Sequence, residues 1–155
     1  MCKETIHFSH ANGFPAQSYQ VVFDKLSDRY EIGYIDRLGH NPKYPVTDSW
    51  PNLVNELIDY IENRYSKPIY GVGHSLGGVL SYMAALQRPD LFKAFVMLDA
   101  PVLLGLDSFA VGLSKRLGLV DRITPAGRTE GRREHWPDYD SAIEYFQGKG
   151  LFRQA

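Results

Sequence analysis

The chain has 155 residues, 44% hydrophobic and 13% aromatic, which is enough for one ordinary domain with a hydrophobic core. Its 17 basic and 18 acidic residues are well mixed and give a net charge of −1, which argues against a nucleic-acid partner or a polybasic membrane anchor. The single cysteine, Cys2, excludes an internal disulfide, and the sequence has neither a signal-type apolar segment nor a membrane-spanning run. We therefore expect a soluble, cytoplasmic protein.

Predicted strands and helices alternate along the first hundred residues. Short apolar or alternating runs predict strands over residues 5–9, 30–35, 69–74 and 93–98. Apolar residues at three- and four-residue spacing predict helices over 18–28, from a cap at Thr47 or Asp48 through Ile61, and from Ser75 to about Arg88. The last strand is nearly all apolar, as is typical of a strand covered on both faces. The alternation predicts an α/β fold with a mostly parallel sheet.

The pattern changes after Pro101. Residues 102–155 contain glycines, several arginines and helix-like segments at 109–117 and 139–146, but no evident strand. We therefore expect residues 1–101 to form an α/β core and residues 102–155 to form a helical segment that lies over the sheet.

A Gly-x-Ser-x-Gly motif, Gly73 to Gly77, stands between the third predicted strand and the helix that follows. A serine on a sharp strand-to-helix turn has an exposed hydroxyl, and glycines two residues to either side remove Cβ atoms that would clash with neighbouring backbone. A chance match in a glycine-containing loop is the alternative, but the flanking strand and helix argue against it. Ser75 is the candidate nucleophile.

A serine nucleophile needs hydrogen-bond donors for the oxyanion of its tetrahedral intermediate. One donor is expected from the amide of Leu76, directly after the serine, and the other from the loop after the neighbouring strand. That loop is residues 10–15, and Asn12 is our choice within it, with Gly13 and Phe14 as alternatives. The loop could also be a tight turn and nothing more.

Three segments together carry a resemblance to a known family. His10-Ala-Asn-Gly-Phe-Pro15, Asp36-Arg-Leu-Gly-His40 and Gly73-His-Ser-Leu-Gly-Gly78 resemble, in order and spacing, the α/β-hydrolase fold superfamily and its serine esterase-like members with a helical cap. Ala11 departs from the usual second glycine, and Leu38 from a common proline. The resemblance implies a partial α/β-hydrolase fold in which residues 5–101 correspond to strands three to six, 102–155 to the start of the cap, and the chain is C-terminally truncated.

The resemblance implies acyl transfer through an acyl-enzyme on Ser75, with a small-molecule ester, thioester, lactone or amide as substrate. No metal or organic cofactor is expected. A serine rather than an aspartate at the elbow separates the chain from relatives resembling epoxide hydrolases and haloalkane dehalogenases. Two alternatives stay open: a carbon–carbon bond hydrolase, which also uses serine, and a non-catalytic module that binds small molecules.

The remaining partners of the nucleophile are less evident in the sequence. The family order is serine, acid, histidine, and Asp99 after the fourth strand is the candidate acid, unless it only satisfies loop amides or the acid comes from a later strand. For the five histidines we expect the following. His7 faces solvent or a neighbouring residue, and His10 and His40 brace loops by hydrogen bonds. His74 points away from where the base must stand, and His135 lies in the cap. We expect the base histidine beyond residue 155, with His135 of a second chain as a weaker option.

The oligomeric state is left open by the sequence. An apolar fourth strand at the edge of the sheet would leave backbone groups unpaired beside a hydrophobic face. We therefore expect the 155-residue chain alone to be poorly soluble or oligomeric.

Overall fold

The computed structural model of the chain describes residues 3–100 and 135–149, and the chain divides into two compact units, Met1–Val102 and Leu103–Ala155. The strands of the first unit are β1 (Glu4–Ser9), β2 (Tyr30–Tyr34), β3 (Ile69–His74) and β4 (Phe92–Leu98). Its α-helices are α1 (Gln20–Ser27), α2 (Pro51–Arg64) and α3 (Leu76–Gln87), and single 3-10 turns lie at Ala16–Tyr19 and Pro89–Leu91. These elements confirm the predicted alternation.

The four strands form one parallel sheet in the order β2-β1-β3-β4. In the register of this sheet Phe8 pairs with Tyr34, Ser9 with Gly73, and His74 with Leu98. The carboxyl ends of all four strands therefore meet at one edge, where open α/β sheets bind their ligands.

Helices cover both faces of β1. Successive side chains of a strand point to opposite faces, so neighbouring residues of β1 contact different helices. Phe8 packs against Phe23 of α1, with ring centroids 5.2 Å apart. On the other face His7 lies 5.3 Å from the ring of Tyr60 in α2, and Ser81 Oγ in α3 donates to Ser9 Oγ at 3.1 Å. The predicted parallel α/β fold with flanking helices is confirmed.

A cluster of buried apolar side chains involves α2 and α3. It comprises Leu38, Leu53, Val54, Leu57, Ile58, Ile61, Ile69, Leu80 and Ala84. The apolar residues of α2 at three- and four-residue spacing all belong to this cluster: Leu53, Val54, Leu57, Ile58 and Ile61.

The start of α2 differs from the prediction of a cap at Thr47 or Asp48, which was wrong. The helix begins at Pro51, whose fixed φ suits a first helical position, and the residue before it, Trp50, has φ +56°. Ser49 is also left-handed, with φ +63°. Two successive left-handed residues turn the chain sharply into the helix, a geometry that the polar residues upstream do not indicate.

The exposure of β4 also differs from the prediction of a strand covered on both faces, which was wrong. Phe95, Val96 and Leu98 are all exposed, Val96 to 51%. Within the described residues β4 pairs only with β3 and therefore forms one edge of the four-stranded sheet. An apolar sequence did not distinguish a central strand from an uncovered edge strand.

The second unit contains α4 (Tyr139–Gln147), which confirms the helix predicted over 139–146. Asp138 caps it by accepting from the amide of Ser141 at 2.7 Å, and Trp136 packs on Tyr145 and Phe146. The helix predicted over 109–117 lies outside the described residues. In the described part of the chain no helix is long and apolar enough to cross a membrane.

Candidate active site

Ser75 occupies the sharp turn between β3 and α3. Its φ of +51° and ψ of −118° lie outside the regions that non-glycine residues ordinarily adopt, and such strain persists only where the surrounding structure imposes it. A Cβ at Gly73 would stand 2.3 Å from the carbonyl oxygen of Gly77, and one at Gly77 would stand 2.1 Å from that of Ser9. The predicted reason for both glycines is confirmed, because no side chain fits at either position.

The backbone of Ser75 is held from both sides. Its amide donates to the carbonyl oxygen of Leu98 at 2.9 Å, and its own carbonyl accepts from Gly78 and Val79. Leu76 is the first residue of α3, at the end of the helix where leading amides lack helical partners and which carries the positive end of the helix dipole. The amide of Leu76 thus belongs to a helix end suited to developing negative charge.

The loop after β1 forms a tight turn at the same edge of the sheet. The amide of Phe14 donates to the carbonyl of Ala11 at 3.1 Å, and Gly13 has φ +78°. Asn12 and Gly13 are therefore the two central residues of the turn. Of the three amides considered as oxyanion donors, that of Phe14 is already used within the turn.

His10 joins this turn to the loop that follows β2. Its Nδ1 lies 2.9 Å from the carbonyl of Ala11, and its Nε2 lies 2.8 Å from the amide of Leu38. Since the carbonyl needs a donor and the amide an acceptor, the imidazole is neutral with its hydrogen on Nδ1. The prediction that His10 braces loops is confirmed, and neither nitrogen is free to serve as a base.

Glu56 of α2 holds the other side of the loop after β2. This buried carboxylate accepts from the amide of Gly39 at 3.0 Å. Burial raises the pKa of Glu56, while the Gly39 hydrogen bond and the charge of nearby His40 act in the opposite direction. The loop is thus held by His10 on one side and Glu56 on the other.

Tyr19 connects the loop after β1 to the elbow, a role that sequence reasoning missed. Its hydroxyl accepts from the amide of Ala11 at 3.2 Å and lies 2.7 Å from Nδ1 of His74. Because burial raises the pKa of Tyr19, the hydroxyl keeps the proton that it can donate to His74. Tyr19 lies within the helix predicted over 18–28, and a partner 55 positions away leaves no local signal.

A cavity of about 170 Å³ adjoins the two candidate oxyanion donors. Both Asn12 and Leu76 lie on its wall. The complete lining is His10, Asn12, Gly13, Leu38, Gly39, His40, Val46, Trp50, Leu53, Leu76 and Leu80. Both candidate donor residues thus line one mostly apolar cavity, and one of them, Leu76, directly follows Ser75 in the sequence.

Asp99 directly follows β4, with φ +45° and an exposed side chain. The carbonyl of the preceding residue, Leu98, accepts from the amide of Ser75, so Asp99 lies at the same edge of the sheet as the serine. This places the candidate acid next to the elbow in the backbone framework.

The other histidines occupy different surroundings. His7 is buried, with Nδ1 3.2 Å from the Tyr65 hydroxyl and Nε2 without a hydrogen-bond partner among the described residues. Of the two surroundings predicted for it, a neighbour is therefore correct, and burial lowers its pKa to about 3. His135 lies in the second unit. In the described part of the chain no cluster of His, Cys, Asp and Glu could hold a metal ion.

Comparison with known proteins supplies the wider context. The sequence model described as "Alpha/beta hydrolase family" matches residues 8–155. Among curated proteins, a type I acyl-CoA thioesterase, mpaH, of Penicillium roqueforti is 24% identical over 90% of this chain and 34% of its own length. Lipase LipV of Mycobacterium tuberculosis is 32% identical over 70% of this chain and 42% of its own. The chain therefore spans less than half the length of these relatives.

A solved structure shows the same fold. The thioesterase domain from the curacin biosynthetic pathway superimposes with a TM-score of 0.63 at 18% identity, covering 94% of this chain and 53% of that domain.

Proposed function

The chain belongs to the alpha/beta hydrolase family, and from this premise we propose that it is a serine hydrolase that acts on carboxylic esters or related acyl compounds through an acyl-enzyme on Ser75. The observation that carries the proposal is the backbone of Ser75, strained at φ +51° between β3 and α3. Strained residues gather at active sites, because the surrounding fold must hold them there.

The proposed reaction begins with attack of Ser75 Oγ on the acyl carbonyl carbon. The amides of Leu76 and Asn12 donate to the oxyanion that develops, in a cavity that both residues line. The tetrahedral intermediate then collapses, the leaving alcohol, thiol or amine takes a proton, and the acyl group remains on Ser75. Water attacks this ester in a second step and releases the acid.

A histidine must take the proton of Ser75 and pass it to the leaving group. We propose that this histidine lies in sequence beyond Ala155, in keeping with the family order of serine, acid, histidine. Two observations support this: both nitrogens of His10 are hydrogen-bonded, and the curated relatives are longer than the part that this chain matches. Asp99 is the proposed acid that would orient the base. Residues 1–101 would form the catalytic core and residues 102–155 the start of the cap.

Fluorophosphonate labelling with peptide mapping tests the nucleophile. We expect label on Ser75 and none in Ser75→Ala, whereas Ser18→Ala, which alters an exposed serine of the 3-10 turn, labels as the parent does. Added imidazole should accelerate labelling of the parent if the chain lacks only a general base. Label on a different serine would overturn the proposal. A chain that binds acyl ligands, stays unlabelled and gains nothing from imidazole would instead be a binding module.

A further inference from the structure

We propose that the cavity beside Ser75 is the acyl-group pocket, that it accepts compact apolar acyl groups of about six carbons or fewer, and that Trp50 limits their length. The inference rests on the proposed function, since the carbonyl to which the acyl group is attached must sit at Ser75. It adds a substrate class and a residue that determines it.

The chemistry of the cavity wall suits an apolar group. Leu38, Leu53 and Leu80 are buried residues on the wall, and Val46 and Trp50 are partly exposed residues that also line it. Asn12 and Leu76, the two candidate oxyanion donors, line the same cavity.

His10 adds little polarity to this wall. Both of its ring nitrogens are occupied, by the carbonyl of Ala11 and the amide of Leu38, so it offers no free donor or acceptor to a ligand. An anionic or strongly polar group next to His10 would therefore lose its hydration without gaining a hydrogen bond from this imidazole.

The size of the cavity sets the limit on the acyl group. Its volume is about 170 Å³, and an apolar protein cavity of about 150 Å³ holds one benzene molecule. Six carbon atoms therefore fill the space, and a longer chain must leave it through the mouth.

The buried wall favours the acyl group over the leaving group as the occupant. Leu80 is fully buried and Leu53 is 3% exposed, so the cavity is closed by the hydrophobic core on this side. A leaving alcohol or thiol has to reach solvent after the first step, whereas the acyl group stays bonded to Ser75 and can remain in a closed space.

Trp50 lies where the cavity meets solvent. It lines the cavity and is 39% exposed, and its backbone is left-handed at φ +56°, directly after left-handed Ser49. A tryptophan in this conformation is rare and costs free energy that other interactions must offset. Its position at the cavity rim makes it the residue that an emerging acyl chain would meet.

The part of the wall formed by Leu38 and Gly39 is held in place before any ligand binds. The Leu38 amide is bonded to His10 and the Gly39 amide to Glu56. A preformed wall of this kind gives a length limit that a mobile loop would not give.

A chain-length series of N-methyl alkanamides, from two to twelve carbons, tests the pocket without requiring catalysis. The binding is measured by ligand-observed NMR on the full chain carrying Ser75→Ala. We expect affinity to rise about fourfold per methylene up to about six carbons, and then to level off or fall. Affinity that rises steadily to twelve carbons would overturn the proposal.

Two rim variants locate the limit. Trp50→Gly removes the indole and relieves the left-handed backbone, and should move the limit to longer chains. Val46→Phe, at a position 61% exposed and hence tolerant of a larger side chain, should move it to shorter ones. Val21→Ala, on exposed α1 surface away from the cavity lining, should leave the series unchanged. An unchanged limit in both rim variants would contradict the role of the rim.

The outcomes separate this inference from the proposed function. A sharp length limit that responds to the rim variants, combined with no labelling of Ser75 in the parent chain even with added imidazole, would support the pocket and contradict the proposed hydrolase activity. Labelling of Ser75 without any length limit in the binding series would support the proposed hydrolase and contradict the proposed acyl-group pocket.

Discussion

The two flanks of Ser75 are built very differently. On the β1 flank, which comprises Ser9–Ala11 and Tyr19, backbone packs on backbone without room for a Cβ, and hydrogen bonds tie the loop to the elbow. On the β4 flank, which comprises Phe95–Asp99, the amide of Ser75 donates to Leu98, in a strand that pairs with β3 and whose side chains are largely exposed. The part of the site that would hold an oxyanion is thus rigid, while the part that would hold the acid is open.

The largest expected effect is on the free energy of unfolding, and it follows from substitution of Gly77 on the β1 flank. In Gly77→Ala the added Cβ would meet the carbonyl of Ser9, which belongs to a central strand and cannot move aside. We expect a loss of about 3 kcal/mol or more in the free energy of unfolding, by the overpacking mechanism. Gly71→Ala in β3 is the control, because its Cβ would meet the ring of half-buried Phe92, which can rotate. Equal losses in urea unfolding would show that the β1 flank is no tighter than its surroundings.

The second prediction uses pH to weaken the β1 side of the sheet selectively. Burial lowers the pKa of His7 to about 3, from about 6.5 in the unfolded chain, so below pH 6.5 the unfolded state binds more protons. Stability is therefore retained above pH 6.5 and falls as pH decreases towards 3, by about 2.7 kcal/mol at pH 4.5. His7→Asn keeps a polar group near Tyr65 but cannot titrate.

Urea unfolding between pH 7.5 and 4.5 measures the effect. The variant should lose less stability than the parent over this range, since only the parent carries the titrating imidazole. Parallel curves for the two proteins would mean that protonation of His7 does not contribute to the acid sensitivity.

The third prediction concerns the hydroxyl that ties the loop to the elbow. Tyr19→Phe removes the acceptor of the Ala11 amide and the partner of His74, and should cost about 1 kcal/mol. Hydrogen exchange at the Ala11 amide should become faster. Tyr82→Phe is the matched control on the other side, because Tyr82 is partly exposed and contacts Phe95 through its ring. If exchange at Ala11 is unaltered in Tyr19→Phe, the hydroxyl does not hold the loop.

The sequence was sufficient for the elements that local patterns determine. Strand β3 and helices α2 and α3 followed from apolar spacing, and Gly73 and Gly77 from the steric demand of a sharp turn. The bracing contacts were not predictable: Tyr19 meets His74 across 55 residues, and Glu56 meets Gly39 across 17. Such pairs are set by the packing of whole elements and leave no trace in the local pattern. The exposure of β4 was missed for a related reason. An apolar sequence shows that a strand could be buried, but it does not show whether another element packs against it.

The smallest expected effect on the free energy of unfolding comes from a substitution on the β4 flank. There the main expected consequence is a change in self-association of the chain. An apolar edge strand with unpaired backbone groups favours pairing with another chain, and we expect the parent to self-associate as its concentration rises. Val96 is half exposed, so Val96→Lys should change the free energy of unfolding by no more than about 0.5 kcal/mol. A charge on the edge should nevertheless suppress association, whereas Val22→Lys, on the exposed surface of α1, should not. Sedimentation velocity across a concentration series distinguishes these cases. Suppression by Val96→Lys alone would place the contact on β4, and a parent that stays monomeric throughout would show that an exposed apolar edge is tolerated beside a rigid elbow.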